Sequence, residues 1–496
     1  MSEAATAPPR EPVEAERAAV ALKYAAAAGV KWTSLAYLAR TGIHLLTTSV
    51  FAWLLAPADF GLVGMAMVVV GFTTLCKDLG TGAAVVQRKE IDDETLSSIF
   101  WANTALGVAG CGLLFALAGP IAGFFREPRL TPVLEVLALT LLFSGPGVVH
   151  LAVLQRRLRF AVLARIEIAA LVVGSGAGLA AAFSGQGVWS LVLMTVTVSL
   201  FTSGFALLAS PFRPHPVCRP GHLRSVARFS LNLTGFQVFS WLTRNVDHLL
   251  IGRFLGATRL GYYALAYRLV LYPLQGAARV VGRVMFPLLS SIQDDHPRFR
   301  NAYLKVTHAI ATVLFPAMAG LFLVSRPLVE TVFGARWLPA VPLIAIFALV
   351  SVLQSVGGTV APIYQAKGRT DLLLRWGLLA GSILVAGIAV GLRWGTVGAA
   401  AGFGAASVAL FYPSLAIPFR LIDLKVAWLA RALWRPAAAT LAMTAAILGL
   451  SGLLEGPHLA LQVAAGVAAY AAAILVLDAG RTREVAALLL GRGRPA

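Results

Sequence analysis

The sequence predicts an all-α polytopic membrane protein of about fourteen transmembrane helices: two six-helix bundles related by a parallel repeat, plus two C-terminal helices. Apolar stretches long enough to cross a bilayer follow one another almost without pause from Gly29 to Leu477. Lys and Arg gather in every second loop between them, and the second half of the chain echoes the first at a fixed shift.

A hydrocarbon core about 30 Å thick needs roughly 20 helical residues to span it. In the first half, stretches of that kind occupy residues 29–54, 60–79, 98–120, 131–154, 161–184 and 187–208. The second half supplies 226–251, 260–287, 303–324, 339–364, 372–392 and 396–419, and two more follow at 432–454 and 459–477. A content of 58% hydrophobic and only 13% charged residues, with a mean hydropathy of +0.79, leaves no length for a soluble catalytic domain.

The domains read off this pattern are a cytoplasmic tail (1–28), an N-terminal bundle (29–208), a basic cytoplasmic linker (209–225), a C-terminal bundle (226–419), two additional helices (432–477) and a second cytoplasmic tail (478–496). The first 28 residues are rich in Ala, Glu and Pro. They lack the compact apolar core and small-residue cleavage site of a signal peptide, and read as a retained, mostly disordered tail. Cys76 and Cys111 fall within spans and Cys218 in a basic loop, so neither a disulfide nor a metal site is expected.

The net charge of +19 is a topology signal and does not point to nucleic acid. Loops on the side of the N-terminus hold 22 Lys and Arg against 7 on the other side, which by the positive-inside rule puts both termini in the cytoplasm of a bacterial inner membrane. The cytoplasmic clusters include Arg88 and Lys89; Arg156, Arg157 and Arg159; Arg213, Arg219 and Arg224; and Arg481 and Arg483. They also predict contact with anionic lipid head groups.

A shift of 200 residues lays Leu55, Phe60, Gly61 and Ala66 over Leu255, Leu260, Gly261 and Ala266. A shift of 210 lays Gly147, Gln155, Arg157 and Arg159 over Gly357, Gln365, Lys367 and Arg369. Both displace the register by six spans, an even number, so the two copies share one orientation. Parallel repeats of this kind suit carriers whose two bundles rock around a central site.

Twelve basic but only four acidic residues fall within the spans. Burying a charge in hydrocarbon costs a few kcal/mol or more unless it faces protein or water, so the imbalance calls for a water-filled cationic cavity. Arg228, Lys305, Arg375 and Arg435 lie near span ends and are expected to snorkel to the interface. Arg40 and His44 sit deep in the first span, one turn apart, and Arg244, Asp247 and His248 repeat the arrangement in the seventh. Span eight adds a stripe of Arg268, Gln275, Arg279 and Arg283. Arg244 and Asp247 could instead form an internal ion pair, with His44 and His248 acting as interhelical hydrogen-bonders. The guanidinium fork suits phosphate, so the cavity reading predicts an anionic substrate on Arg40, Arg244, Arg268, Arg279 and Arg283, with a phospholipid, a polyprenyl diphosphate and an organic anion all open on composition alone. Pro273 and the Gly145, Pro146, Gly147 run are candidate hinges, while Gly174, Gly176 and Gly178 suit close helix packing.

The run APADFGLVGMAMVVVGFTTLCKDLGTGAAVVQRKE from Ala56 resembles the opening of Wzx-type polysaccharide flippases of the multidrug/oligosaccharidyl-lipid/polysaccharide exporter superfamily. The likeness is strongest to the colanic and teichuronic acid exporter branch. It continues through FWANTALG after Ile99, QRRLRF at Gln155, RNVDHLLIGRFLGATRLGYYALAYRL from Arg244, VMFPLLSSIQDD at Val284 and GRTDLLLRWG at Gly368. It covers roughly residues 30–430 and fades over the last two spans.

The resemblance implies ion-coupled, alternating-access translocation of undecaprenyl-diphosphate-linked oligosaccharide from the cytoplasmic to the periplasmic leaflet. The implied partners are that lipid, anionic membrane lipids, a polysaccharide polymerase and other biosynthesis proteins, with no nucleic acid. No Walker-type phosphate loop occurs in the sequence, and no cofactor is expected beyond a coupling cation, H+ or Na+. Burial logic alone names His44, Asp78, Asp247 and His248 as coupling candidates. A drug or metabolite antiporter of the same superfamily is the alternative. A membrane glycosyltransferase or polymerase using Asp92, Asp93, Asp294 and Asp295 fits less well, because no outward loop exceeds about 14 residues.

Overall fold

The computed structural model of the chain describes residues 36–78, 81–87, 91–217, 219–453 and 459–478. The side chains of residues 220–240, 277, 279, 280, 283 and 284 are not among those described. The expected tail 1–28, Arg88 and Lys89, Cys218, and Arg481 and Arg483 lie outside the described residues.

Helices account for nearly all of the rest, and no strand occurs among the described residues. In order they are α1 (36–54), α2 (Pro57–Asp78), the short α3 (Thr81–Gln87), α4 (Asp93–Phe125), α5 (Leu130–Arg156), α6 (Phe160–Phe183) and α7 (Val188–Ala209). The stretch Pro220–Val280 is two helices, α8 and α9, joined at Gly256, whose φ of +83° a side-chain-bearing residue rarely adopts. Then come α10 (His296–Leu323), α11 (Val341–Gly357), α12 (Thr370–Gly391), α13 (Gly395–Phe419), α14 (Val426–Leu453) and α15 (Leu459–Leu477).

Ten helical runs among the described residues are long and apolar enough to cross a membrane, and one of them, Thr370–Ile422, contains two of the expected spans. Helical backbone also underlies the described part of the expected first span, from residue 36, and the expected seventh and eighth spans. The all-α polytopic class therefore holds, and fourteen stays the sequence's own count.

Local chemistry starts several helices. Asp92 is extended (φ −83°, ψ 158°) and its carboxylate accepts the Thr95 backbone N–H at 3.3 Å, capping α4. Asp295 does the same for α10 through the Arg298 N–H at 3.0 Å, with proline following in the first turn. These caps open the third and ninth spans, which the repeat makes equivalent. Two of the four acids that an enzyme reading would use are thus helix caps.

The chain divides into two compact units: residues up to Leu54 with Ala66–Trp241, and Leu55–Met65 with everything from Leu242. In the first unit, α5 is the most buried spanning helix and packs on α4, α7 and α3, while α6 pairs with α7. Its Leu134, Leu137, Ala138 and Leu141 are fully buried. Glycines set the distances: a methyl group at Gly107 would lie 2.7 Å from the Leu141 carbonyl oxygen, and one at Gly145 would lie 2.9 Å from that of Asn103. Gly145 thus serves close packing, and Gly174 and Gly178 likewise seat α6 against Val198 and Met194 of α7. Gly176 faces open space.

The second unit repeats the scheme with α10 on α11, α11 on α13 and α12 on α13, the last pair seated through Gly387 and Gly391 against Gly402 and Gly398. α14 packs on α10 and α15 on α14. A core around Phe299, Tyr303, Tyr364, Leu415 and Phe419 closes one end of this unit.

Also within the second unit, the start of α2 crosses α9 at backbone contact. A methyl group on Gly61 would overlap the Ala257 carbonyl, and one on Gly261 would overlap the Pro57 carbonyl. The 200-residue shift that aligns Gly61 with Gly261 also aligns Pro57 with Ala257, so the two contacts exchange under the repeat. Trp337, fully buried, braces the crossing edge-on to Phe60 at 5.0 Å and to Tyr262 at 5.8 Å. Arg336 Nη1 donates to the Leu55 carbonyl at 3.1 Å.

Candidate functional site

α8 turns Asp247 inward, so that the residue is only 6% exposed, and the Gly256 break brings α9 back alongside it. Tyr263 of α9 donates its hydroxyl to Asp247 Oδ2 at 3.0 Å. Oδ1 accepts the His248 backbone N–H at 2.8 Å and lies 3.1 Å from His248 Nδ1. Both carboxylate oxygens are therefore engaged.

Aromatic rings enclose the group. His248 stands edge-on to Tyr263 at 5.7 Å and to Tyr267 at 5.8 Å, and Phe347 of α11 stands edge-on to the same tyrosines at 5.1 and 5.8 Å. Asp247, Tyr263, Tyr267 and Phe403 line a cavity of about 300 Å³ that Gly377 and Gly381 of α12 close. Ligand pockets run from about 300 to 1,000 Å³, so this space takes an ion or a small group and is too small for an oligosaccharide.

Arg244 lines the same cavity, one turn before Asp247, but the two form no ion pair. Tyr263 and His248 hydrogen-bond the carboxylate, while the Arg244 side chain is exposed. Arg268 on α9 is exposed as well. The backbones of Arg279 and Arg283 are helical or in the π-turn that follows, but their side chains lie outside the described set.

In the first unit Arg40 does have an acidic partner: its Nη1 is 2.7 Å from Glu167 Oε2 on α6. The side chains are 45% and 42% exposed. His44, one turn along α1, is half-buried. Asp78 stands 3.0 Å from Lys77 Nζ, whose side chain is only 1% exposed and also donates to Ser144 Oγ at 2.7 Å. Asp78 thereby neutralises a buried cation. Next to it, Thr81 and the fully buried Asn103 bond to each other at 2.9 to 3.1 Å.

One polar centre was not singled out from the sequence. Asp478, with 2% side-chain exposure, accepts from Arg435 Nη1 at 2.6 Å and lies 2.7 Å from His308 Nε2. His308 Nδ1 faces the Ala432 carbonyl at 2.7 Å, so both ring nitrogens lie within hydrogen-bond distance of an oxygen. Arg435 therefore does not simply snorkel; it ties α14 to the end of α15, with His308 of α10 as the third member. Asp478 falls one residue beyond the last apolar stretch, which hid it, and a lone acid closing a span was the available signal.

Residues 50–342 match the model of the family described as polysaccharide biosynthesis protein. Among individual proteins, the chain is 30% identical to the teichuronic acid biosynthesis protein TuaB of Bacillus subtilis (strain 168), over 73% of this chain and 75% of TuaB. It is 29% identical to the lipopolysaccharide biosynthesis protein WzxC of Escherichia coli (strain K12), over 76% of this chain and 77% of WzxC. Among solved structures, the lipid II flippase MurJ in an inward closed conformation matches with a TM-score of 0.69, at 15% identity, over 90% of this chain and 98% of MurJ. That likeness is one of fold.

Proposed function

Because the chain belongs to the polysaccharide biosynthesis protein family, we propose that it is a flippase carrying polyprenyl-diphosphate-linked oligosaccharide from the cytoplasmic to the outer leaflet. It is a multi-pass inner-membrane protein of polysaccharide biosynthesis and not an enzyme. Both termini are assigned to the cytoplasm by the loop charges.

The observation that carries the reading is the separation of Arg244 from Asp247. An Arg one turn from a carboxylate, yet unpaired with it, keeps its fork available for phosphate oxygens. Arg244 and Arg268 are the principal contacts of the diphosphate, joined by Arg279 and Arg283. Arg40 contributes less, because Glu167 already neutralises it.

The enclosed carboxylate takes the coupling role. Asp247, with Tyr263 and His248, offers a small cation or a proton a carboxylate beside a cavity of about 300 Å³. Asp78 is less suited, since releasing Lys77 would leave a buried ammonium without its counter-charge. The aromatic rings around Asp247 favour one other reading, an antiporter of small organic cations, because ring faces attract cations.

Asp247→Asn separates coupling from binding. In proteoliposomes charged with undecaprenyl-diphosphate oligosaccharide, this variant is expected to bind the lipid as wild type does and to lose gradient-stimulated transfer at least about tenfold. Wild-type stimulation in the variant would remove Asp247 from the mechanism. Inhibition of transfer by small organic cations, absent in the variant, would favour the antiporter.

A further inference from the structure

Unit 2 contains a second cationic cavity, apart from the carboxylate site. It measures about 400 Å³ and lies between α10 and α14, lined by Asn301 and Lys305 on one helix and by Trp428, Arg431, Trp434 and Arg435 on the other. We propose that it binds the phosphate of an anionic phospholipid head group, a role independent of whatever cargo the protein carries.

Charge is the first argument. Three cations line the cavity and no acid does. Asp478 engages Arg435 from behind at 2.6 Å and holds it in place. Lys305 and Arg431 have no carboxylate partner among the described residues, and both are exposed. Like charges gathered in so small a space repel one another, and an anion between them turns that repulsion into attraction. The first turn of α14 contains no acid, so the positive end of its dipole is also uncompensated.

Geometry distinguishes a lipid phosphate from a soluble one. Trp428 and Trp434 are 40% and 51% exposed, and tryptophans of this kind collect where acyl chains meet head groups. Arg435 stacks on Trp434 at 5.8 Å and Arg300 on Trp428 at 5.5 Å, so the rings and the charges form one surface. From Trp428 to Arg435 the helix advances about 10 Å, enough to cross an interfacial layer of roughly 5–8 Å. The first turns of α10 and the neighbouring segments carry Arg298, Arg300, Lys367, Arg369, Arg420 and Lys425, and this basic charge assigns the end to the cytoplasmic side, where anionic lipids concentrate.

The test uses the full chain purified in detergent and read by native mass spectrometry, with thermal unfolding in parallel. The probes are phosphatidylglycerol, phosphatidylcholine, inorganic phosphate and undecaprenyl diphosphate. Wild type is expected to retain phosphatidylglycerol over phosphatidylcholine and to unfold at higher temperature in its presence. Lys305→Ala with Arg431→Ala is expected to lose at least about fivefold of that retention and the thermal shift, while Lys305→Arg with Arg431→Lys keeps both. Undecaprenyl diphosphate binding is expected to be unchanged by the alanine pair.

Equal phosphatidylglycerol retention in wild type and the alanine pair would overturn the proposal. So would loss of undecaprenyl diphosphate by the alanine pair, which would give the cavity to the cargo, or displacement of phosphatidylglycerol by millimolar inorganic phosphate, which would make the ligand soluble. If the alanine pair does not fold, Lys305→Met with Arg431→Gln is read against the same outcomes.

Discussion

Replacing Gly61 or Gly261 by leucine is expected to reduce polysaccharide export at least about tenfold while the protein still reaches the membrane. At both positions an added side chain meets the backbone carbonyl of the opposing helix, Ala257 in one case and Pro57 in the other. A carbonyl in a helix cannot rotate away, so α2 and α9 must separate. Overpacking of this kind costs about 1–3 kcal/mol even where side chains can yield, and more against backbone. Separation would also pull Phe60 and Tyr262 from Trp337 and break the bond from Arg336 to the Leu55 carbonyl. Alanine should give the milder version of the same defect. Gly112→Leu and Gly119→Leu are the controls, because a Cβ at either meets nothing within 4 Å. Secreted polysaccharide and membrane-inserted protein, measured in the same cells, check the expectation. Normal export by Gly61→Leu would show that the crossing has no part in the transport cycle.

The second large effect is expected at Asp478. Its carboxylate joins His308 of α10 to Arg435 of α14 from the end of α15, at 2.7 and 2.6 Å, and has almost no contact with water. Asp478→Ala would leave Nε2 of the nearly buried His308 ring without its partner, although Nδ1 keeps the Ala432 carbonyl, and would leave Arg435 with its stacking on Trp434. Loss of one partner from a buried charged network costs about 3–5 kcal/mol, and the partial exposure of Arg435 brings the expectation to about 3 kcal/mol. Thermal unfolding of the detergent-solubilised protein should show a clear drop for Asp478→Ala and a smaller one for Asp478→Asn, which keeps an acceptor oxygen. Unchanged unfolding in both would mean that the last helix is not held by this centre.

Hydropathy made the helical class legible, because a window of about 20 residues averages over many side chains and outweighs local exceptions. The repeat was legible too: Gly61 and Gly261 align in the sequence, and the structure sets them in one symmetric crossing. What hydropathy does not encode is the rotation of a helix about its axis. α6 is apolar nearly all round, so nothing in its pattern says that Glu167 turns toward Arg40, 127 residues away. Arg244 and Asp247, one turn apart, invite an ion pair on a single helix, yet Tyr263 of the next helix takes the carboxylate. Only the break at Gly256, which folds α9 back, brings that hydroxyl within reach. Asp92 and Asp295 show the reverse case, acids conspicuous in the sequence whose work is local, at the first turns of α4 and α10.

The proposed cargo is a diphosphate-linked oligosaccharide lipid that the protein moves between leaflets. The direct test measures how that lipid is distributed between the two leaflets in cells depleted of the protein, then supplied with wild type or Arg244→Ala. Accumulation on the cytoplasmic leaflet, relieved by wild type and not by Arg244→Ala, is the predicted result. An unchanged leaflet distribution after depletion, with loss of efflux of a soluble compound instead, would contradict it.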